Sequence, residues 1–153
     1  MPQLVVRTLV RADVEVVFDL SLDVDVEAVA GRRLGVRAVG GRTSGRIGLG
    51  EHVRWQARLL GVVPISHTSE IVELERPGRF VDVMRAGIFA EFRHEHRFEV
   101  EGPNMTIMTD RLRWRSPLGP LGTVADTAYV RPALLRLLAD RNAEIARRAE
   151  GRR

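Results

Sequence analysis

Two histidines separated by one residue, His94 and His96, sit in the run FRHEHRFE. In a strand, alternate side chains share a face, so both imidazoles point the same way, in company with Phe92 and Phe98. Glu91, Arg93, Glu95, Arg97 and Glu99 then alternate in sign along the opposite face. The following candidate strand repeats the pattern. Met108, Asp110, Leu112 and Trp114 share one side, and Thr109, Arg111, Arg113 and Arg115 take the other. An imidazole beside a carboxylate among apolar side chains is an acid–base pair, because the carboxylate fixes the ring tautomer and tunes its pKa across neutral pH. His96 and His94 are therefore the candidate catalytic groups, with Asp110 as orienter and Asp82, on the preceding strand, as a second carboxylate.

The register decides which groups meet. If the EGPN turn places Val100 opposite Thr106, His96 faces Asp110 and His94 faces Leu112. A slip of two residues pairs His94 or Phe98 with Asp110 instead. The bland alternative is a hydrogen-bonded polar cluster that does no chemistry. The spacing of His94 and His96, with Asp110, also matches a two-His, one-carboxylate metal site. The shortness of the motif and its apolar surroundings argue against one, so no metal and no cofactor is expected.

Composition narrows the rest. All 24 basic residues are arginine, and the chain has no lysine and no cysteine. That excludes Schiff-base chemistry, a Walker lysine, thiol nucleophiles, disulfides and zinc–thiolate sites. The pI of about 11.0 overstates the basicity. With 20 acidic residues the net charge is only +4, and arginine alone limits the titration. The glycines of GGRTSGRIGLG do not complete a GxGxxG or GK[ST] motif, and the stretch reads as a flexible turn near a cavity mouth. No GxSxG elbow is present. The stripe Arg111, Arg113, Arg115 and the tail Arg147, Arg148, Arg152, Arg153 lack interleaved aromatics, which speaks against a nucleic-acid partner. No apolar run approaches the ~20 residues of a membrane span, and no signal-peptide start is seen, so a cytoplasmic protein is expected.

The elements that must position these groups follow from periodicity. Residues 4–10 read as a strand, Asp13 as a helix cap, and 14–18 and 25–30 as short helices. A strand is expected at 34–39. Period-2 runs at 52–59, 66–75, 79–85, 89–101 and 105–115, joined by short turns, form an antiparallel meander. From Leu121 onward the pattern is helical, with a break or kink near Arg131 imposed by Pro132. Leu134, Leu135, Leu137, Leu138, Ile145 and Ala149 form its apolar stripe. The expected class is α+β: a curved antiparallel sheet of six to seven strands wrapped around one long helix, residues 1–153 as one domain with the last few frayed. A gap between sheet and helix is a place for a small apolar ligand. Trp55, Asp82, Met84, Phe92, Phe98, Met108, Trp114 and Tyr129 fall on inward positions and are the candidate ligand-binding residues.

Three stretches carry a family resemblance: ADVEVVFDL, ERPGRFVDVMRAGIFAEFRHEHRFE and MTIMTDRLRWRSPLGPLG. With the element order, they resemble the START-like (SRPBCC, helix-grip) superfamily, in its polyketide cyclase/dehydrase-like branch. The resemblance spans nearly the whole chain. It implies a hydrophobic cavity and binding of a small hydrophobic or amphipathic molecule, as carrier or sensor. Two other roles stay open: a cyclase/dehydrase-like enzyme using the His/Asp pair, and a ribosome- or RNA-associated protein. A homodimer is compatible with the sequence.

Overall fold

The computed structural model describes residues 1–151. Seven strands form one antiparallel sheet: β1 (Gln3–Val10), β2 (Arg37–Gly41), β3 (His52–Leu59), β4 (Val63–Glu75), β5 (Arg79–Ala86), β6 (Glu91–Gly102) and β7 (Met105–Arg115). Their spatial order is β1-β7-β6-β5-β4-β3-β2. The meander from β2 to β7 runs through neighbouring hairpins, and β1 closes against β7. Helices α1 (Val14–Ser21) and α2 (Val24–Ala30) cross from β1 at one edge to β2 at the other. Each begins at an aspartate whose carboxylate accepts a backbone N–H of the first turn: Asp13 from Glu15 and Asp23 from Asp25. Helices α3 (Gly119–Ala125) and α4 (Arg131–Glu150) form the C-terminal segment that the sheet wraps. The expected fraying concerns Arg152 and Arg153, which lie outside the described residues.

Several boundaries differ from the sequence reading. The strand expected at 34–39 is β2 at Arg37–Gly41. Gly31–Leu34 instead makes a 3-10 turn that ends at Gly35, whose φ of 67° suits a residue without Cβ. The glycine-rich segment after β2 is tied down. Arg42 makes a bidentate pair with Glu51, Gly45 N–H donates to Asp25, and Gly48 N–H donates to Glu51. The helical region passes through a π-turn at Asp126–Val130 before α4, at the place where Pro132 was expected to disturb it. Proline lacks the N–H that the preceding turn would accept and crowds that turn's carbonyl, and a wider π-turn relieves both.

Two apolar clusters lie between sheet and helices. One gathers Phe18, Val17, Phe80, Phe98, Met108 and Ile145; the other holds Leu4, Leu112, Trp114 and Leu138. The convex face carries the alternating charges as ion pairs. Glu95 accepts from Arg97 and Arg79, Glu73 from Arg93, and Glu91 from Arg115. The two Arg97 and Arg79 hydrogen bonds hold the Glu95 carboxyl down at about 2.

Trp114 shows why a large inward aromatic is not by itself a ligand contact. It is fully buried, and its indole N–H donates to the buried Asp126 carboxylate at 3.0 Å. Removing that acceptor leaves a buried donor unpaired, at a cost of about 1–3 kcal/mol. Asp126→Ala is therefore expected to lower stability by that amount in urea denaturation, and a midpoint unchanged from the parent would contradict the assignment.

Candidate functional site

Strand β6 brings His94 and His96 to the concave face, and β7 lies in the register that places Val100 opposite Thr106 and His96 opposite Asp110. On the other side, β5 sets Asp82 opposite His94. The two imidazoles are packed together, ring centroids 3.6 Å apart, and Phe80 stacks on His96 at 4.0 Å. They lie between two carboxylates. Asp110 Oδ1 is 2.9 Å from His94 Nε2 and 3.1 Å from His96 Nδ1. Asp82 Oδ1 is 2.9 Å from His96 Nε2 and 3.9 Å from His94 Nδ1. Register thus gives the expected His96–Asp110 facing pair, yet the shorter contact to Asp110 is the diagonal one from His94. Imidazole reach, rather than strand register alone, decides such pairings.

Because carboxylates only accept, His94 Nε2–H donates to Asp110, and His96 Nε2–H donates to Asp82. In that tautomer His96 Nδ1 accepts from Arg141 Nη2–H at 3.3 Å. Both ring nitrogens of His96 are consumed. His94 differs. Its Nδ1 has no partner within hydrogen-bond distance, although the residue is 92% buried by its 8% exposure. Among the described residues no sealed side-chain nitrogen or oxygen lacks a partner, so this nitrogen opens into the cavity that His94 lines.

The cluster is locked from behind by two residues of α4 that the sequence reading missed. Arg141 is 2% exposed and donates to Glu27, Asp110, Asn142 and the Ser21 carbonyl. Asn142 donates to Asp110 Oδ2 at 2.8 Å and to Thr8. A signal existed. The apolar stripe of α4 skips from Leu138 to Ile145, and Arg141 and Asn142 fill the inward positions between them. On β4, His67 and Ser69 were also missed, although Ile65, His67, Ser69 and Ile71 alternate onto one face. Ser69 Oγ–H donates to Asp82 Oδ2 at 3.0 Å and lies 3.3 Å from His67 Nε2.

These polar groups close one end of a cavity of about 470 Å³ between the sheet and the C-terminal helices. Its wall is otherwise mainly apolar, with Val53, Trp55, Ile65, Phe92, Leu134 and Leu138 among the lining residues. Of the expected ligand contacts, Trp55, Asp82, Phe92 and Tyr129 line it, as do His94 and His96. Tyr129 sits at the rim, its hydroxyl accepting the Leu60 N–H at 3.2 Å. Four others are placed elsewhere. Phe98 and Met108 are buried in the core beside Phe18, Trp114 is capped by Asp126, and Met84 is half-buried near the end of β5 beside Gly87. A shared inward face extends past the cavity at both ends, so facing inward does not suffice. Asp110 lies behind the imidazoles, fully buried, and does not line the cavity. Leu135, expected in the helix stripe, is exposed.

Electrostatics follow from burial. Desolvation lowers the His94 pKa, the neighbouring His96 adds to this, and the Asp110 hydrogen bond offsets part of it. His67 is lowered by burial. Burial alone would raise the Asp82 carboxyl, but the His96 hydrogen bond and the adjacent imidazoles outweigh it and hold it at about 2. Asp110 likewise resists burial and lies well below its ordinary value, through both histidines and Arg141.

No family model matches the chain, and no curated protein matches its sequence. Solved structures do match. The Zhui aromatase/cyclase from Streptomyces sp. R1128 superposes with a TM-score of 0.77 at 14% identity, covering 99% of this chain and 94% of that one. A START superfamily protein from Mycobacterium smegmatis gives 0.68 at 15% identity, covering 99% of both chains. This is the START-like, helix-grip fold. A major latex-like protein from Panax ginseng shares the START-like fold with a TM-score of 0.62 at 15% identity over 93% of this chain and 95% of that one. At such identities the likeness carries the fold alone, and chemistry must come from the residues of this START-like cavity.

Two outcomes follow for stability. Arg141→Leu leaves Asp110 and Glu27 without their buried cation, so a loss of about 3–5 kcal/mol is expected in urea denaturation. A loss under about 1 kcal/mol would show that the clamp is dispensable. Acid acts in the same direction at the two lowered histidines and at Asp82 and Asp110. Below about pH 6.5 the unfolded chain protonates imidazoles that His94 and His67 refuse in the fold, so stability falls. Below about pH 4 the unfolded chain protonates carboxyls while Asp82 and Asp110 stay ionised, and a second loss begins. The melting temperature in chelator-containing buffer should therefore drop from about pH 7 to 5 and again below 4. A flat profile would contradict burial of the two imidazoles.

Proposed function

We propose that the protein binds a small, mainly apolar molecule with one polar end in the cavity between its sheet and C-terminal helices. One observation carries this reading: a cavity of about 470 Å³ whose wall is mainly apolar and includes the buried cluster of Asp82, His94 and His96. The volume suits a small-molecule site, and the lining matches the usual pattern of apolar enclosure with a few orienting groups. The exposed apolar side chains Leu34 and Ile88 also belong to the lining, together with Tyr129, which is 39% exposed. They mark an apolar stretch of the mouth, beside the exposed Arg58, through which an apolar ligand can enter.

A second reading is favoured by one specific feature. His94 presents an unpartnered Nδ1 to the cavity while Asp110 holds its Nε2–H. That is the geometry of an acid–base group with its tautomer fixed, as aldol cyclisation or dehydration requires. His94, rather than His96, is then the acting imidazole, because both nitrogens of His96 are engaged.

Binding is tested by filling the cavity. Ala133→Phe adds bulk from α4 into the space without touching the polar cluster. It should weaken binding of a neutral fluorescent apolar probe such as Nile red by about 10-fold or more, equivalent to ~1.4 kcal/mol, while the circular dichroism spectrum is retained. Native mass spectrometry of freshly purified protein should show a bound small molecule in the parent and less in the variant. Equal probe affinity in the two proteins would sink the cavity reading. For the enzymatic reading, His94→Gln should keep probe binding and abolish turnover of a linear poly-β-ketone. Turnover equal to the parent's removes His94 from the chemistry.

A further inference from the structure

We propose that Asp82, His94 and His96 form a binding site for a first-row divalent transition metal, with Asp110 as the partner that orients both imidazoles. Their candidate ligand atoms, one from each side chain, all lie within 4.8 Å of one another. Metal bonds of about 2.0–2.1 Å place neighbouring ligand atoms roughly 3 Å apart. Asp82 Oδ1 and His96 Nε2 are already 2.9 Å apart. His94 Nδ1, 3.9 Å from the same oxygen, has less than about 1 Å to close.

Three independent features point to a ligand at this place. The first is His94 Nδ1, a lone pair on a nine-tenths buried side chain, with no partner and turned toward the cavity. The second is the surrounding support. Metal-bound histidines donate their other N–H to a carboxylate, and both rings turn that nitrogen to one oxygen, Asp110 Oδ1, at 2.9 and 3.1 Å. Asp110 is itself held by Asn142 and Arg141, and Asp82 by Ser69. The third is charge. Asp110 and Glu27 share a single guanidinium, Arg141, and Asp82 joins the same network only through His96, with no cation of its own among the described residues. A divalent cation balances that excess of carboxylates.

Loading requires one proton to move. His94 needs no change, since Nε2–H already donates to Asp110. His96 must free Nε2, and its proton passes to Nδ1, which gives up its 3.3 Å contact with Arg141 Nη2–H and donates to Asp110 Oδ1 at 3.1 Å, while Arg141 Nη2 keeps the Ser21 carbonyl. The donor set of two imidazoles and one carboxylate matches Fe²⁺ or Zn²⁺ sites that keep open positions. Here the open side is the cavity, so a ligand's polar end can reach the metal. The sequence offered Asp110 as the third ligand. The structure assigns that place to Asp82 and moves Asp110 behind the rings.

The test is Zn²⁺ titration of chelator-treated, full-length protein by calorimetry. One-to-one binding is expected, with a rise in melting temperature. Asp82→Asn and His94→Gln should each weaken it by about 100-fold or more, given that losing even an outer partner costs roughly 10–100-fold. Long-range imidazole ¹H–¹⁵N spectra of the parent provide a reading that survives if the variants do not fold: Zn²⁺ must shift the ring nitrogens of His94 and His96. The proposal is overturned by the absence of saturable binding, by undiminished affinity in both folded variants, or by a titration that moves only His52 or His67. None of these outcomes depends on the organic ligand.

Discussion

The Asp110 carboxylate is the point at which sheet and helix are joined by something other than apolar contact. It is completely buried and accepts from His94 on β6 and from Arg141 and Asn142 on α4. A lone buried carboxylate would be strongly unfavourable, and only this full set of donors makes it tolerable. Each partner is constrained in turn. Arg141 must also satisfy Glu27 on α2 and the end of α1, so the same ion ties both early helices to the late one. Apolar packing alone would allow α4 to rotate or slide. The directional bonds to Arg141 and Asn142 select one rotation.

That constraint also explains the cavity. The polar cluster props α4 against β6 and β7 at one level, while the apolar clusters around Phe18 and around Trp114 seal the space to either side. What stays open lies between, bounded by β3, β4 and the C-terminal helices. The inner end of the space therefore inherits the cluster's chemistry. His94 Nδ1 and Asp82 face inward, and Asp110, which sets their surroundings, never reaches the cavity. Support and contact are divided between different residues of one network.

The convex face makes a useful contrast. It holds Arg79, Arg93, Arg97 and Arg115 as pairs with glutamates of the sheet. Those pairs are largely solvated and individually worth little, about 0–1 kcal/mol. The few charges inside, Asp110, Arg141 and Asp82, matter more because water cannot replace a lost partner there.

Strand periodicity was legible almost throughout, since a two-residue repeat is local and every meander strand shows it. So was the inward direction of His94, His96 and Asp110, whereas of the two registers open for the β6–β7 hairpin the structure has the one with Val100 opposite Thr106. The compositional exclusions also hold from the chain alone: no thiol or lysine amine can take part. Which imidazole nitrogen is free, which carboxylate stands before the rings and which behind, and which inward residues reach the cavity were decided only by tertiary structure. Arg141 comes from a helix 45 residues beyond His96, and the bond between them is recorded by no local pattern. Side-chain direction is a property of one element, whereas partnership depends on how separate elements meet. That meeting is set here by the need to satisfy one buried carboxylate.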